Sequence, residues 1–289
     1  MTFSVSSMTA SLKKVAVLQP SKSLKNADPS KWHYGPAFDP EKVEEIHASF
    51  VSLLENAGVE IFWINDHDSE NADAVFTYDA SLMTKYGAIL MSPGKALRAG
   101  EQNLHSIFYK SHNIPIIGTI SGAARAEAGD TLWLNETTLV VGRGFRTNQL
   151  GIDQIKEILE PRGVKVFSFD LPFYTGAAAC LHLMSLISLV DTKAALVVMP
   201  LLPVGLYELL TSKGFELIEA PMSEFEESNT LSTNVLAISP GNCIMLNGLP
   251  KTIQKLQLYG IKVQVFDGDA LCIGCEGGPT CLTRPLYRT

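Results

Sequence analysis

The stretch Thr131-Leu132-Trp133-Leu134-Asn135-Glu136-Thr137-Thr138-Leu139-Val140-Val141 decides the fold. Two apolar runs flank a short polar turn, which is the pattern of a β-hairpin. A helical periodicity follows over about Gln149 to Leu159, and then another apolar run, Val164 to Phe169. The unit is therefore ββαβ, and it recurs. Ala74 to Asp79, Ala88 to Met91, a helix from about Ala96 to Ser111 and Ile114 to Ile117 make one copy. Leu181 to Ile187, Ala194 to Met199, a helix near Gly205 to Ser212 and Phe215 to Ile218 make another. Asn234 to Ile238, Cys243 to Leu246, Lys251 to Tyr259 and Ile261 to Phe266 make a third. The last copy needs both ends of the sequence. Thr280 to Leu286 pairs with Lys14 to Leu18, and the helix Pro40 to Ala57 and strand Val59 to Ile64 complete it. First strands recur about every 50 residues, the spacing of a propeller or array.

Such a unit cannot bury both faces alone, so its neighbours must share a core. The expectation is a single-domain α/β propeller of five ββαβ repeats with pseudo-fivefold symmetry, spanning residues 14–289. Residues 1–13, rich in Ser and Thr, read as a disordered lead-in. An open α/β sheet fits less well, because strict βαβ alternation would place single strands between helices.

Composition narrows the function. Hydrophobic residues make up 46% of the 289, charged residues 18%, and mean hydropathy is +0.14. Disorder requires the opposite balance. The net charge of −7 and a pI near 5.4 argue against a general nucleic-acid binder, which needs a basic face. The most apolar region, Ala194 to Leu210, is interrupted by Pro200 and Pro203 and falls short of the roughly 20 apolar residues of a membrane span. No partner of either kind is expected. An odd number of cysteines (Cys180, Cys243, Cys272, Cys275, Cys281) reads as free thiols in a reducing cytoplasm.

In a radial fold, equivalent strand starts converge at one end of the axis. Those places hold Asp73 and Asp79, Glu127 and Asp130, His182, Asn234, and Cys281. Cys281 follows Gly277-Gly278-Pro279-Thr280, and paired glycines allow close backbone approach. A thiolate matched to its site is a strong nucleophile. Cys180 and Cys243, inside apolar runs, read as core residues. His182 sits in an uncharged run and shares the register of Cys281, which makes it the general acid/base candidate. His67 falls in an acidic loop, and His33 in a Trp32-His33-Tyr34-Gly35 loop that has the makings of a lid. Carboxylates at Asp73, Asp79 and Glu127 would make an anionic pocket suited to a planar guanidinium. Arg98 and Arg146 read as clamps for a carboxylate. Cys272 and Cys275 form a lone Cys-x-x-Cys without a second half-site, so no metal is expected.

Together these motifs resemble the guanidino-modifying enzyme superfamily, the penteins: arginine deiminases, amidinotransferases and dimethylarginine dimethylaminohydrolases. The carriers are Asp73 to Asp79, Arg98 to Glu101, Glu127 to Asp130, Arg146-Thr147-Asn148, His182-Leu183, Asn234 and Cys281. The Gly-Phe-Arg-Thr-Asn stretch and the short ending after Cys281 are most similar to the dimethylarginine dimethylaminohydrolase branch and its bacterial relatives. The resemblance implies a fivefold propeller without a cofactor. It implies Cys281 as nucleophile, His182 as acid/base and Glu127 beside it on the guanidinium. It places Asp73, Asp79, Glu276 and the backbone at Cys275 against the substrate, and Arg98 and Arg146 on its α-carboxylate. Three positions depart from the pattern: Ala128 replaces the usual Gly, Tyr78 stands where relatives have Arg or an acid, and Met184 stands where arginine deiminases have an Asp. The third leaves apolar room that suits a methylated guanidinium.

The expected partner is a small guanidino substrate, with a homodimer left open. The expected reaction converts dimethylarginine or monomethylarginine to citrulline and an alkylamine through a covalent thiouronium. An arginine deiminase, an amidinotransferase and an inactive propeller serving as a binding module are the competing readings.

Overall fold

The computed structural model describes residues 2–65, 70–177 and 181–289. Among them fifteen strands form five three-stranded sheets arranged as blades. β1 (Leu12–Val17) and β2 (Glu60–Trp63) share a blade with β15 (Arg284–Arg288). The next blades are β3 (Ser81–Met83), β4 (Ala88–Leu90) and β5 (Ile116–Thr119), then β6 (Thr131–Asn135), β7 (Thr138–Arg143) and β8 (Lys165–Asp170). The last two are β9 (Ile187–Asp191), β10 (Ala194–Val197) and β11 (Glu216–Glu219), and β12 (Leu236–Ser239), β13 (Asn242–Leu246) and β14 (Lys262–Phe266). In four blades a hairpin pairs two strands antiparallel, in the fifth β1 and β15 from opposite ends of the sequence make that pair, and in each a helical crossover returns the third strand parallel to the middle one. This is the repeat read from residues 131–169.

Local chemistry explains the pieces. The helix Gln149–Leu159 starts where the Asn148 side chain accepts from the Gly151 N–H, and it buries Ile152, Ile155 and Leu159 at helical spacing. The continuous helix expected over Ala96 to Ser111 is instead a 3₁₀ turn, Ala96–Arg98, and a helix, Glu101–Ser111. Gly100 separates them at φ 106°, a conformation that favours glycine.

The first strand of several blades starts later than its apolar run suggests. Ala74 to Asp79 is not a strand; Ala72–Val75 forms a 3₁₀ turn and β3 begins at Ser81. The same displacement puts Leu183–Ser185 and Leu231–Thr233 in turns ahead of β9 and β12, and Cys281 ahead of β15. These segments lie buried near the axis, so their apolar runs cannot be told from strands by periodicity. The consequence is functional: the candidate residues lie in the turns that feed the blades, not in the strands.

The ring closes through β1, which pairs antiparallel with β15 and parallel with β2. The expected disorder of residues 1–13 is corrected here. Ser4 N–H donates to Leu286 O (3.0 Å), Arg288 N–H donates to Ser4 O (2.9 Å), and Ser11 exchanges two bonds with Thr289. Val5 and Thr9 are buried, and the Arg288 guanidinium donates to Ala10 O at 2.6 Å. The segment holds because it satisfies the exposed edge of β15 and a buried cation. A second buried arginine, Arg284, lies 4.1 Å from the Tyr78 ring centroid and donates to Tyr78 O and Ser81 O. Among the described residues, no helix is long and apolar enough to cross a membrane.

Deletion of residues 2–10 removes the burial of Val5, worth roughly 1.5–3 kcal/mol. Loss of the native cover over Arg288 adds about 1–3 kcal/mol for an unmet donor. A fall in Tm of at least about 4 °C is expected for a chain of this size, read by calorimetry. An unchanged Tm would show the segment to be unattached.

Candidate active site

One pocket gathers most of the predicted residues. A cavity of about 50 Å³ is lined by Asp73, Phe76, Asp79, Lys95, Arg98, Arg146, His182, Cys275, Glu276, Gly277 and Cys281. The turns entering four different blades supply Asp79, Glu127, His182 and Cys281, and Asn234 joins from the fifth.

Glu127 is fully buried and sits at the centre. Its Oε1 accepts from Gly94 N–H (2.8 Å), Lys95 N–H (3.3 Å) and Arg146 Nε (3.0 Å). Its Oε2 lies 3.0 Å from an Arg146 terminal nitrogen and 2.8 Å from His182 Nε2. Burial alone would raise its pKa. The Arg146 guanidinium and the bond to His182 reverse that and hold the carboxyl well below the usual range. Gly94 must lack a side chain for this, because a Cβ there would stand 2.7 Å from the Arg146 backbone.

Asp79 repeats the arrangement. Oδ1 accepts from Gly129 N–H (2.8 Å) and Oδ2 from an Arg98 terminal nitrogen (2.5 Å). Burial again pushes upward, and His182 and Arg98 outweigh it, so the carboxylate is held ionised. A Cβ on Gly129 would lie 2.7 Å from both Asp79 Oδ1 and His182 Nδ1, so the acid and the imidazole meet across a bare backbone. The His182 ring also accepts from the Ser185 N–H in the following turn. Asp130, one turn from Glu127, accepts from Leu183 N–H (3.0 Å) and fixes that turn. Burial raises the Asp130 carboxyl to about 6. Ala128, in place of the usual glycine, fits in the turn and donates its N–H to Asp79 O at 3.1 Å.

The Cys281 thiol accepts from Asn234 Nδ2 at 3.1 Å. Asn234 Oδ1 accepts in turn from Thr280 N–H at 2.9 Å, which fixes the amide orientation. The Gly277-Gly278 pair serves packing: a Cβ on Gly277 would strike the Phe76 ring and one on Gly278 the Asn234 side chain. Burial and then Asp79 push the thiol up to about 11, against the pull of His182 and the Asn234 bond. Asn234 was visible as a repeat-equivalent position, and the structure shows what it touches.

Arg98 and Arg146, read as carboxylate clamps, face the protein's own acids. Arg98 is buried, donates through Nε to both oxygens of Glu101 (2.9 and 3.0 Å), and reaches Asp79 and Phe76 O with its terminal nitrogens. Arg146 holds Glu127 through two nitrogens. The reason is electrostatic, since a buried carboxylate without a counter-charge is costly. Lys95 carried no sequence assignment, and it lies in the wall with Nζ 2.6 Å from Asp73 Oδ2. Its only signal was its place after Pro93-Gly94. The Trp32 loop stands over this edge, with Tyr34 Oη donating to Asp73 Oδ1 at 2.7 Å. Cys275 is buried and Glu276 is exposed at the rim with φ 60°. Cys243 and Cys272 are fully buried in the core. Cys180 and His67 lie outside the described residues.

A second, smaller cavity of about 20 Å³ lies beside Cys281 and His182, lined by Tyr78, Met184 and Leu231 among others. It holds about one water-sized group. The ligand atoms of Asp79, Glu127 and His182 lie within 4.8 Å of one another, as a metal set would. Both carboxylates already bind arginines and backbone N–H groups, which suits planar cations better than an ion needing bare lone pairs.

The comparisons bear on this geometry. The family model described as arginine deiminase matches residues 67–204 and 200–288. A dimethylarginine dimethylaminohydrolase of Pseudomonas aeruginosa is 25% identical over 246 residues, covering 85% of this chain and 89% of the relative. A solved structure of that enzyme with citrulline superposes with a TM-score of 0.77 at 23% identity, covering 94% of this chain and 98% of that one. The N-terminal domain of a cyanobacterial arginine dihydrolase superposes with a TM-score of 0.80 at 17% identity, covering 95% and 98%. At these identities the two structures establish the fold, the pentein propeller.

A thiol near pKa 11 is ionised to about one part in 10⁴ at pH 7. Alkylation of Cys281 by iodoacetamide without substrate, tracked by mass spectrometry, is expected to rise about tenfold per unit between pH 7 and 9. A flat profile would mean that the thiolate is already formed at pH 7.

Proposed function

This chain belongs to the arginine deiminase family, and we propose that it is a cysteine-dependent hydrolase acting on the guanidinium carbon of an arginine derivative. The observation that carries the reading is the convergence of Cys281, His182 and the ionised Asp79 on one pocket, with the ionised Glu127 bonded to His182 behind its wall.

Guanidinium is a resonance-stabilised, poor electrophile. Asp79 keeps it protonated and oriented, and orientation alone contributes up to roughly 7–11 kcal/mol. The substrate's positive charge also favours the thiolate of Cys281, which burial otherwise opposes. The thiol proton passes to His182 as the sulfur attacks the central carbon, a C–S bond forms, and the C=N π pair moves onto nitrogen. The C–N bond to the departing amine then breaks as His182, oriented by Glu127, supplies its proton. Water enters beside the adduct and gives a proton to neutral His182. The C–O bond forms, the C–S bond breaks, and the products are a ureido compound and the free thiol. Arg98 acts at one remove by holding Asp79. Glu276 and the Cys275 backbone line the mouth.

Within this class we favour a methylated guanidinium. The small cavity beside Cys281 is lined by Met184, Tyr78 and Leu231 together with Ser185, Thr230, Asn234, Glu276 and Thr280, and Met184 puts there a thioether, a far weaker acceptor for free N–H groups than a carboxylate. A buried unpaired donor costs about 1–3 kcal/mol, so arginine is penalised there. An arginine deiminase or amidinotransferase is the second reading, and it follows from the family alone.

Cys281→Ser is expected to abolish turnover without loss of fold, since a hydroxyl lacks the thiol's nucleophilicity. More than a trace of residual rate would remove Cys281 from the role. With the unaltered protein, kcat/KM for mono- or asymmetric dimethylarginine should exceed that for arginine by at least about tenfold, an effect of roughly 1.4 kcal/mol. Met184→Asp should narrow the gap. A preference for arginine in competition kinetics would point to the deiminase reading, and transfer to an added amine to the amidinotransferase.

A further inference from the structure

The strand that leads away from the pocket buries positive charge. In β15, Arg284, Leu286 and Arg288 stand at alternate positions, so they share one face, and all three are buried. Among the described residues no carboxylate pairs with either guanidinium. Arg284 spends Nη1 on Tyr78 O and Ser81 O, and its guanidinium lies over the Tyr78 ring. Arg288 spends Nη1 on Ala10 O (2.6 Å) and Ala237 O (2.8 Å). A guanidinium has five N–H donors, so each keeps the Nε and Nη2 edge, whose donors point the same way. The Nε of Arg284 is fully buried with no hydrogen-bond partner among the described residues.

Buried charges are ordinarily paired. Elsewhere this chain obeys that rule, since Arg98 and Arg146 are buried against Glu101, Asp79 and Glu127. On β15 two cations meet carbonyl dipoles and each other. Burial pushes the Arg288 guanidinium down to about 10; the Tyr78 hydroxyl opposes this and Arg284 adds to it, so the three groups act on one another. Tyr78 Oη has a weak acceptor, Met8 Sδ at 3.9 Å. We propose that this face of β15 is a binding site for one small monovalent anion, held between the Nε and Nη2 edges of Arg284 and Arg288 with Tyr78 Oη as a further donor.

An anion there turns the repulsion of two cations into two charge-assisted contacts, which are strong where water is excluded. Leu286 and Tyr78 belong to the same apolar cluster as Val5, with Met8 packed on it, surroundings that suit a weakly hydrated halide or nitrate better than a divalent ion. Arg288 keeps 7% of its surface, which gives a small ion a route from solvent. The same guanidinium bonds Ala10 O in the N-terminal segment and Ala237 O in β12. An anion that fixes Arg288 therefore fastens the ring closure.

The test measures Tm of the full chain by calorimetry in sodium gluconate, whose anion is too bulky for the site, while chloride, bromide or nitrate replaces it at constant ionic strength. A saturable rise of at least about 3 °C is expected. Arg288→Met should lose most of that rise, and Arg288→Lys, which keeps the charge without the fork, should need at least tenfold more anion for half of it. Crystals grown in bromide should show an anomalous peak beside Arg284 and Arg288. A Tm that does not distinguish the small anions from gluconate, or a rise that Arg288→Met keeps in full, would make the arginines purely structural and overturn the proposal. A bromide peak without a saturable change in Tm would mean an adventitious ion only and overturn it equally. Should Arg288→Met fail to fold, the bromide map of the unaltered protein decides, and the lack of a peak at the two arginines overturns the site.

Discussion

Burying one carboxylate organises the site. Glu127 has no exposed surface, and an isolated charge there would cost several kcal/mol. Its two oxygens gather donors from three separate parts of the ring: the Gly94-Lys95 backbone, the Arg146 side chain and the His182 ring. Each is needed to keep the charge tolerable, so each is positioned by the others' demand. The imidazole is aimed, the Arg146 loop is pinned beside Gly94, and the turn carrying Lys95 is drawn to the wall. Asp79 repeats the logic with Arg98 and Gly129. The chemistry of the pocket is thus tied to the stability of the junctions between blades.

The architecture was readable because each helix buries one stripe and each hairpin has two clear arms. Gln149–Leu159 was placed to the residue. The turns feeding the blades were not readable as turns. Val75, Phe76 and Tyr78 are buried from every side, so they carry no alternation to betray a missing strand. Position still told: Asp79, Glu127, His182 and Cys281 do face one pocket or its rear wall. What a guanidinium faces is a different matter. Arg98 and Arg146 pair with acids that lie between 3 and 19 residues away, and nothing in a linear pattern ranks Glu101 or Glu127 above a ligand. Lys95 was invisible for the converse reason. A lysine after a Pro-Gly turn is ordinarily solvated, and only the fold sets Asp73 and Trp32 beside it.

The fivefold repeat also explains how one scaffold holds chemically unlike groups so near one another. 3₁₀ turns precede β3, β6, β9 and β12, and a further turn carries Cys281 ahead of β15. In or beside these turns stand two acids, an imidazole, an amide and a thiol. Glycine appears where two of them meet, as at Gly129 between Asp79 and His182. Identity of frame permits density of function.

The pairing of β1 with β15 has a consequence for how the molecule comes into being. Leu12 faces Arg288, a contact spanning almost the full length of the sequence. Contacts this distant close late, since loop entropy must be met before they reward it. Until residue 288 has been synthesised, β1 has a bare edge available to other chains. Cys281 lies only three residues before β15. The nucleophile is therefore among the last groups to be seated, and an incompletely made ring carries no assembled site that could react with cellular guanidines or oxidants before its partners are in place.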